Sequence, residues 1–356
     1  INYDNFDANI EVLYNDSYQI KNENNQKLKS EKGEALLDIG IITSICPSLQ
    51  NIYIYCLNSD NDIPVALKEM KKKNVSVISI SYGGPDQNMT DYWDDLFFKD
   101  LYKDFTICVS SGDGGGLSNN TKVTNYPASS KYVLACGGTQ SNDKYDYTKQ
   151  THSWVNSGGG ITPFTRPKWQ KISIKGNKRL VPDVAGMAQS NWYLQIATNQ
   201  KSNEYSLSGG TSAVAPLYAA YFITVNEARR KIGKKDIGFV NEILYKAPKE
   251  CFTDISKGKT KAGWLAEDGY DKTTGLGVFI PEILTQYLVN HKIVYTEPTE
   301  NNNNNKLVNI INNVKYKIGN YLNNNQENDK YLNIHNLKLK IEKYLNINET
   351  QTNILL

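Results

Sequence analysis

Ser208-Gly209-Gly210-Thr211-Ser212-Ala213-Val214-Ala215-Pro216, followed by the apolar run 217–222, turns the backbone tightly and delivers a serine where a helix begins. Ser212 would then sit at the positive end of the helix dipole, where a developing oxyanion is favoured. Pro216 is expected in the first turn, since the N–H it lacks would have no intrahelical partner there. The same residues equally describe a Gly-Thr-Ser loop that only caps a buried helix. A serine nucleophile needs a base within hydrogen-bond reach. The three histidines, His152, His291 and His335, fall in a polar loop, at a helix end and in the tail. None has the Gly-rich or strand-end setting of a Ser-His-Asp enzyme, so carboxylates are left as bases.

Glu34 and Asp38 stand four apart in the segment 31–46, one turn of a helix and one face. Leu36, Leu37 and Ile39 flank them, which buries that face. Two carboxylates there are costly unless paired or used, because desolvation and mutual repulsion raise at least one pKa. A solvated i,i+4 pair on an outer face is the other reading of the same spacing. Asp113 follows an apolar run in Ser110-Ser111-Gly112-Asp113-Gly114-Gly115; alone, that pattern describes a turn aspartate.

The elements that must position these groups read as an α/β chain. Helices are expected at 31–46, ended by Pro47, and at 64–73, 91–103, 239–245 and 281–291; strands at 52–57, 75–82, 105–110 and 132–136. No element is expected in the polar residues 1–30. Alternating strands and helices, with near-continuous apolar strands, argue for a mostly parallel central sheet covered by helices on both faces. The loop-rich middle, with 156–160, 166–170 and 182–185, suits active-site walls above the strand ends. Residues 294–305 form an Asn-rich linker, and apolar spacing over 306–356 allows a helical hairpin or a weakly ordered tail. Five cysteines without a C-x-x-C pair favour buried free thiols over a disulfide framework or zinc site. A net charge of +3 is too mild for a nucleic-acid partner. No run of eighteen apolar residues suggests a membrane span, and no leader pattern is visible at the start.

Glu34-x-x-x-Asp38, Ser-Gly-Asp113 and Gly-Thr-Ser212-Ala, in this order, resemble the sedolisin family of serine-carboxyl peptidases, which includes kumamolisin and the lysosomal tripeptidyl peptidase. Ser79-Ile80-Ser81-Tyr82-Gly83, Tyr126-Pro127-Ala128-Ser129-Ser130, Gly137-Gly138-Thr139 and Pro182-Asp183-Val184 agree with it. The likeness covers about residues 30–290. It implies a subtilisin-like fold over a peptidase domain at 1–293, with the Asn-rich extension outside it. It also implies an acid-acting peptidase with Ser212 as nucleophile, Glu34 as base and Asp38 orienting Glu34 and sharing its proton. Protonated Asp113 would donate to the oxyanion, and Ser81, Tyr82 and Gly83 would pair with the backbone of a peptide or protein substrate. One structural calcium ion (Ca2+) would be held by the carboxylates of Asp254 and Asp271 and the main-chain carbonyls of Ile255, Glu267 and Gly269, a hard-ligand set.

The family also implies an acidic compartment or secretion, and an inhibitory propeptide that is not in this chain, together with a first strand that is likewise missing. Glu267 stands where the family usually has Gly. Gly114 replaces an acidic pocket residue of some members, so their acidic-pocket specificity does not carry over. The competing reading is a catalytically silent structural or binding descendant; the intact quartet argues against it.

Overall fold

The computed structural model describes residues 9–14, 25–57, 59–141, 152–189, 192–194, 206–291 and 353–355. Its centre is an eight-stranded sheet. In chain order its strands are β1 (Asn9–Tyr14), β2 (Asn51–Leu57), β3 (Val77–Ile80), β4 (Thr106–Ser110), β5 (Leu134–Gln140), β6 (His152–Ser153), β7 (Val184–Met187) and β8 (Asn353–Leu355). The spatial order is β1-β2-β8-β3-β4-β5-β6, with β7 also on β5. β6 and β8 run antiparallel to their neighbours, and the other pairings are parallel.

The principal helices are α1 (Asn25–Ile45), α2 (Ile63–Lys72), α3 (Asp91–Phe98), α4 (Thr211–Lys231), α5 (Asn241–Leu244) and α6 (Pro281–Asn290). Alternate residues of the central strands feed two cores, as a pleated strand requires. Cys108, Leu134 and Cys136 join Ile41, Ile45, Val214, Phe222 and Leu288 on the side of α1, α4 and α6. Ile107, Val109, Val133 and Ala135 join Leu67, Met70, Phe97 and Phe98 on the side of α2 and α3. The subtilisin-like arrangement expected from the sequence is therefore present, with helices on both faces.

Sequence signals set most boundaries. Pro64 and Pro281 lie in the first turns of α2 and α6, where a missing N–H is harmless. Asn74, at φ 58°, turns the chain out of α2, since asparagine tolerates the left-handed region.

Four expectations change. Residues 1–30 contain β1 and the start of α1; β1 is an edge strand on β2, too short and too flanked by Asn and Asp to stand out in sequence. The helix expected at 91–103 stops at Phe98 and gives way to a 3-10 turn at Tyr102–Asp104, where the chain swings into β4. The fourth expected strand continues through Gly137-Gly138-Thr139 to Gln140. These glycines serve packing rather than a turn: a Cβ on Gly137 would lie 2.5 Å from Pro182 Cγ, and one on Gly138 2.7 Å from the Ala188 Cβ.

The fourth change concerns the tail. The linker and the helices expected beyond residue 293 lie outside the described residues, except for 353–355. Those three form β8, between β2 and β3: Asn353, Ile354 and Leu355 pair with Leu57, Cys56 and Tyr55, and Leu355 also pairs with Ile80. All five cysteines are free and buried. No helix among the described residues is long and apolar enough to cross a membrane.

Candidate active site

Glu34, Asp38, Asp113 and Ser212 converge at the carboxyl ends of β3 and β4. Helix α1 packs against α4, which brings the acidic face of one helix to the N-terminal turn of the other. Asp38 is 3% exposed, and Glu34 is half-buried. Glu34 Oε1 and Asp38 Oδ1 are buried without a hydrogen-bond partner in the protein. Burial raises the Glu34 carboxyl; the Ser212 hydroxyl opposes the shift and the charge of Asp113 adds to it. Burial, then the charge of Glu34, pushes Asp38 well up, with the nearby Ser81 hydroxyl only partly offsetting the rise. Burial of both groups, and the charge of Glu34 on Asp38, thus favour the protonated forms.

Ser212 is the second residue of α4, so its N–H has no intrahelical acceptor. Pro216, expected in the first turn, is instead the sixth helical residue. Its missing N–H is the one that would bond the carbonyl of Ser212, four residues earlier. That carbonyl accepts from Ser81 Oγ at 3.2 Å, and Ser212 Oγ donates to the Ser81 carbonyl at 3.4 Å. Ser81 directly follows β3, so Ser212 is tied to the sheet as well as to its helix.

Asp113 lies on the loop after β4. Its Oδ1 accepts from the Thr211 N–H and from Thr211 Oγ1, both at 2.8 Å. Asp113 is exposed overall; partial burial of its carboxyl still raises it, while the Thr211 N–H and hydroxyl lower it. Gly210 must be glycine: its φ is 96°, and a Cβ there would lie 2.4 Å from Asp113 Oδ2. The described histidines lie elsewhere, His152 on β6 and His291 just past α6.

Ser81, Tyr82 and Gly83 directly follow β3. Tyr82 Oη donates to Asp60 Oδ1 at 3.2 Å, and burial raises the Asp60 carboxyl. Gly84 pairs with Tyr126, and a Cβ on Gly83 would meet the Tyr126 carbonyl at 2.7 Å. Thr211 and Asp60 were not singled out from sequence. Thr211 carried a signal, its place between the turn glycine and the serine; Asp60, in a polar Ser-Asp-Asn-Asp run, carried none.

The five residues expected to hold calcium lie on adjoining loops. Asp254 Oδ2 accepts from the Gly269 N–H at 2.7 Å, and Asp271 Oδ2 from the Glu267 N–H at 3.2 Å. Asp271 Oδ1 also takes the N–H groups of Thr273 and Thr274. Among the described residues no group of three or more His, Cys, Asp or Glu could hold a metal. Two carboxylates and three main-chain carbonyls are nevertheless hard oxygen donors, the kind a hard cation such as calcium takes.

The sequence profile of the Subtilase family matches residues 42–248. Kumamolisin of Bacillus sp. (strain MN-32) is 32% identical over 292 residues, covering 72% of this chain and 51% of that protein. Tripeptidyl-peptidase 1 of Mus musculus is 25% identical over 235 residues, covering 56% of this chain and 41% of that protein. The chain thus spans about half the length of the relatives it matches. Pseudomonas sedolisin, a serine-carboxyl proteinase solved with two molecules of pseudo-iodotyrostatin, superposes with a TM-score of 0.66 at 22% identity, over 79% of this chain and 84% of that one. The shared fold, the profile match and these relatives place the chain together: it belongs to the subtilase family, in its sedolisin branch.

Proposed function

We propose that the chain is an acid-acting serine-carboxyl peptidase. The observation that carries this reading is the meeting of a helix-N-terminal serine with three carboxylates whose pKa values are raised, with no histidine beside them among the described residues. Ser212 Oγ attacks the peptide carbonyl and passes its proton to Glu34. The tetrahedral oxyanion takes hydrogen bonds from the Ser212 N–H and from protonated Asp113. As the C–N bond breaks, Glu34 returns the proton to the leaving amine, and an acyl-enzyme remains on Ser212. Water activated by the same carboxylate then releases the acid. Asp38 holds Glu34 in place and shares its proton.

Substrates are extended peptides or proteins laid along Ser81, Tyr82 and Gly83. An acidic compartment or an acidic extracellular setting follows from the protonation states required. Calcium, when bound by Asp254, Asp271 and the carbonyls of Ile255, Glu267 and Gly269, supplies a structural cross-link rather than chemistry. The test is covalent labelling at acid pH by a peptide aldehyde and a fluorophosphonate. Adduct formation on Ser212 that disappears in Ser212→Ala supports the reading; a folded protein that labels with neither is a silent binding descendant.

A further inference from the structure

We propose that Thr211 is a positioning residue that fixes which oxygen of Asp113 carries the acidic proton, and therefore which one faces the oxyanion. The inference rests on the oxyanion role given to Asp113 above.

Thr211 is 1% exposed and opens helix α4 directly before the nucleophile. Its hydroxyl accepts the Gly112 N–H at 2.9 Å, which leaves its own proton to point at Asp113. That proton and the Thr211 N–H both end on Oδ1, at 2.8 Å each. An oxygen already receiving two donors is a poor place for a third proton. The acidic proton of the neutral carboxyl is thus placed on Oδ2.

Oδ2 lies against Gly210, where a Cβ would come within 2.4 Å of it and 3.2 Å of the carboxyl carbon. The acid is clamped on both edges, by donors at one oxygen and by a glycine backbone at the other. Gly210, Thr211 and Ser212 are consecutive, so acid and nucleophile are set by one turn of backbone. A threonine that merely capped the helix would accept a backbone N–H of that helix; this one accepts from Gly112, on the loop carrying the acid.

Deleting the hydroxyl has two separable effects. Orientation is lost, so kcat falls about tenfold or more with KM little changed. A donor that favoured the ionised carboxylate is also lost, so Asp113 holds its proton to higher pH. The alkaline limb of kcat then moves up by about one pH unit.

The test compares full-length parent, Thr211→Ser, Thr211→Val and Asp113→Asn on an internally quenched peptide across pH. It is read beside a 13C carboxyl NMR titration of Asp113 in the inactive Ser212→Ala background. The expected result is a slower Thr211→Val with its limb and its Asp113 titration both shifted upward, and a Thr211→Ser restored in both. Should the valine variant not fold, Thr211→Ala takes its place. If Asp113→Asn moves the alkaline limb while the hydroxyl-deleting variant leaves limb and titration where they were, Thr211 is structural and the inference is overturned. If Asp113→Asn leaves the limb in place, the oxyanion role of Asp113 itself fails, and this inference with it.

Discussion

Ser81 and Ser212 are bound to each other reciprocally, each hydroxyl donating to the other's carbonyl, at 3.2 and 3.4 Å. The pairing exists because Pro216 withholds the N–H that would otherwise claim the Ser212 carbonyl. Sheet and helix are thereby joined at Ser212, the residue proposed to react.

Ser81→Ala should lower kcat about tenfold and destabilise the fold by about 1 kcal/mol, the net worth of one hydrogen bond. In a Pro216→Ala background the same change should cost less stability, because the substituted position then offers the Ser212 carbonyl an intrahelical donor. Thermal melts of the four proteins give the coupling; strictly additive losses would show that Pro216 and Ser81 do not share that carbonyl.

Ser212→Ala and Glu34→Ala should each abolish turnover with the fold intact. The double variant should be little worse than either, since residues acting as a unit are not additive. Single-turnover assays with circular dichroism controls decide this, and independent losses would contradict a shared mechanism.

Activity should fall on the alkaline side as Asp113 ionises, because a carboxylate facing the oxyanion replaces a donor with a like charge. An oxyanion donor is worth about 3 kcal/mol, a hundredfold or more in rate. Asp113→Asn should be slower at the optimum but keep its activity to higher pH. Coincident alkaline limbs in a pH–rate series would remove Asp113 from that role.

Stability should follow the same carboxyls. Glu34, Asp38 and Asp113 are raised in the folded protein, as is buried Asp94, pushed up to about 6. Raised folded values mean that the folded state binds protons more tightly than the unfolded chain. Their contribution is therefore full below about pH 4 and is lost as pH rises through the folded values. Tm should be higher in mild acid than at neutrality, and Asp38→Asn should flatten the difference. A Tm–pH curve of unchanged slope in that variant would argue against the assignment.

Calcium should stabilise without catalysing. Chelator, or Asp271→Ala, should lower Tm by several degrees while leaving the pH profile of the remaining activity in place. Indifference of Tm to both would remove the metal from these loops.

The carboxylate spacing, the glycine-serine turn and the alternation of strands and helices were legible because each is local. Glu34 and Asp38 announce a shared face by being one turn apart, and Gly210 announces a tight turn by its type. What stayed hidden depends on distant partners. The place of Pro216 in its helix followed from where Gly210 ends the turn, and its purpose from a serine on another strand. β1 and β8 are short strands whose assignment depends on β2, far from either in sequence. The glycines at 137 and 138 have the composition of a turn, and only Pro182 and Ala188, packed against them, make them part of a strand.

The position of β8 bears on the order in which the sheet is completed. β2 and β3 are made early, yet Leu355 joins both, at Tyr55 and Ile80, from far along the chain. Pairings so distant form late and slowly, and until they form two strand edges stand open to wrong partners. Completion of the sheet thus waits on residues 353–355, and with it the settling of strand β3, which Ser81 directly follows.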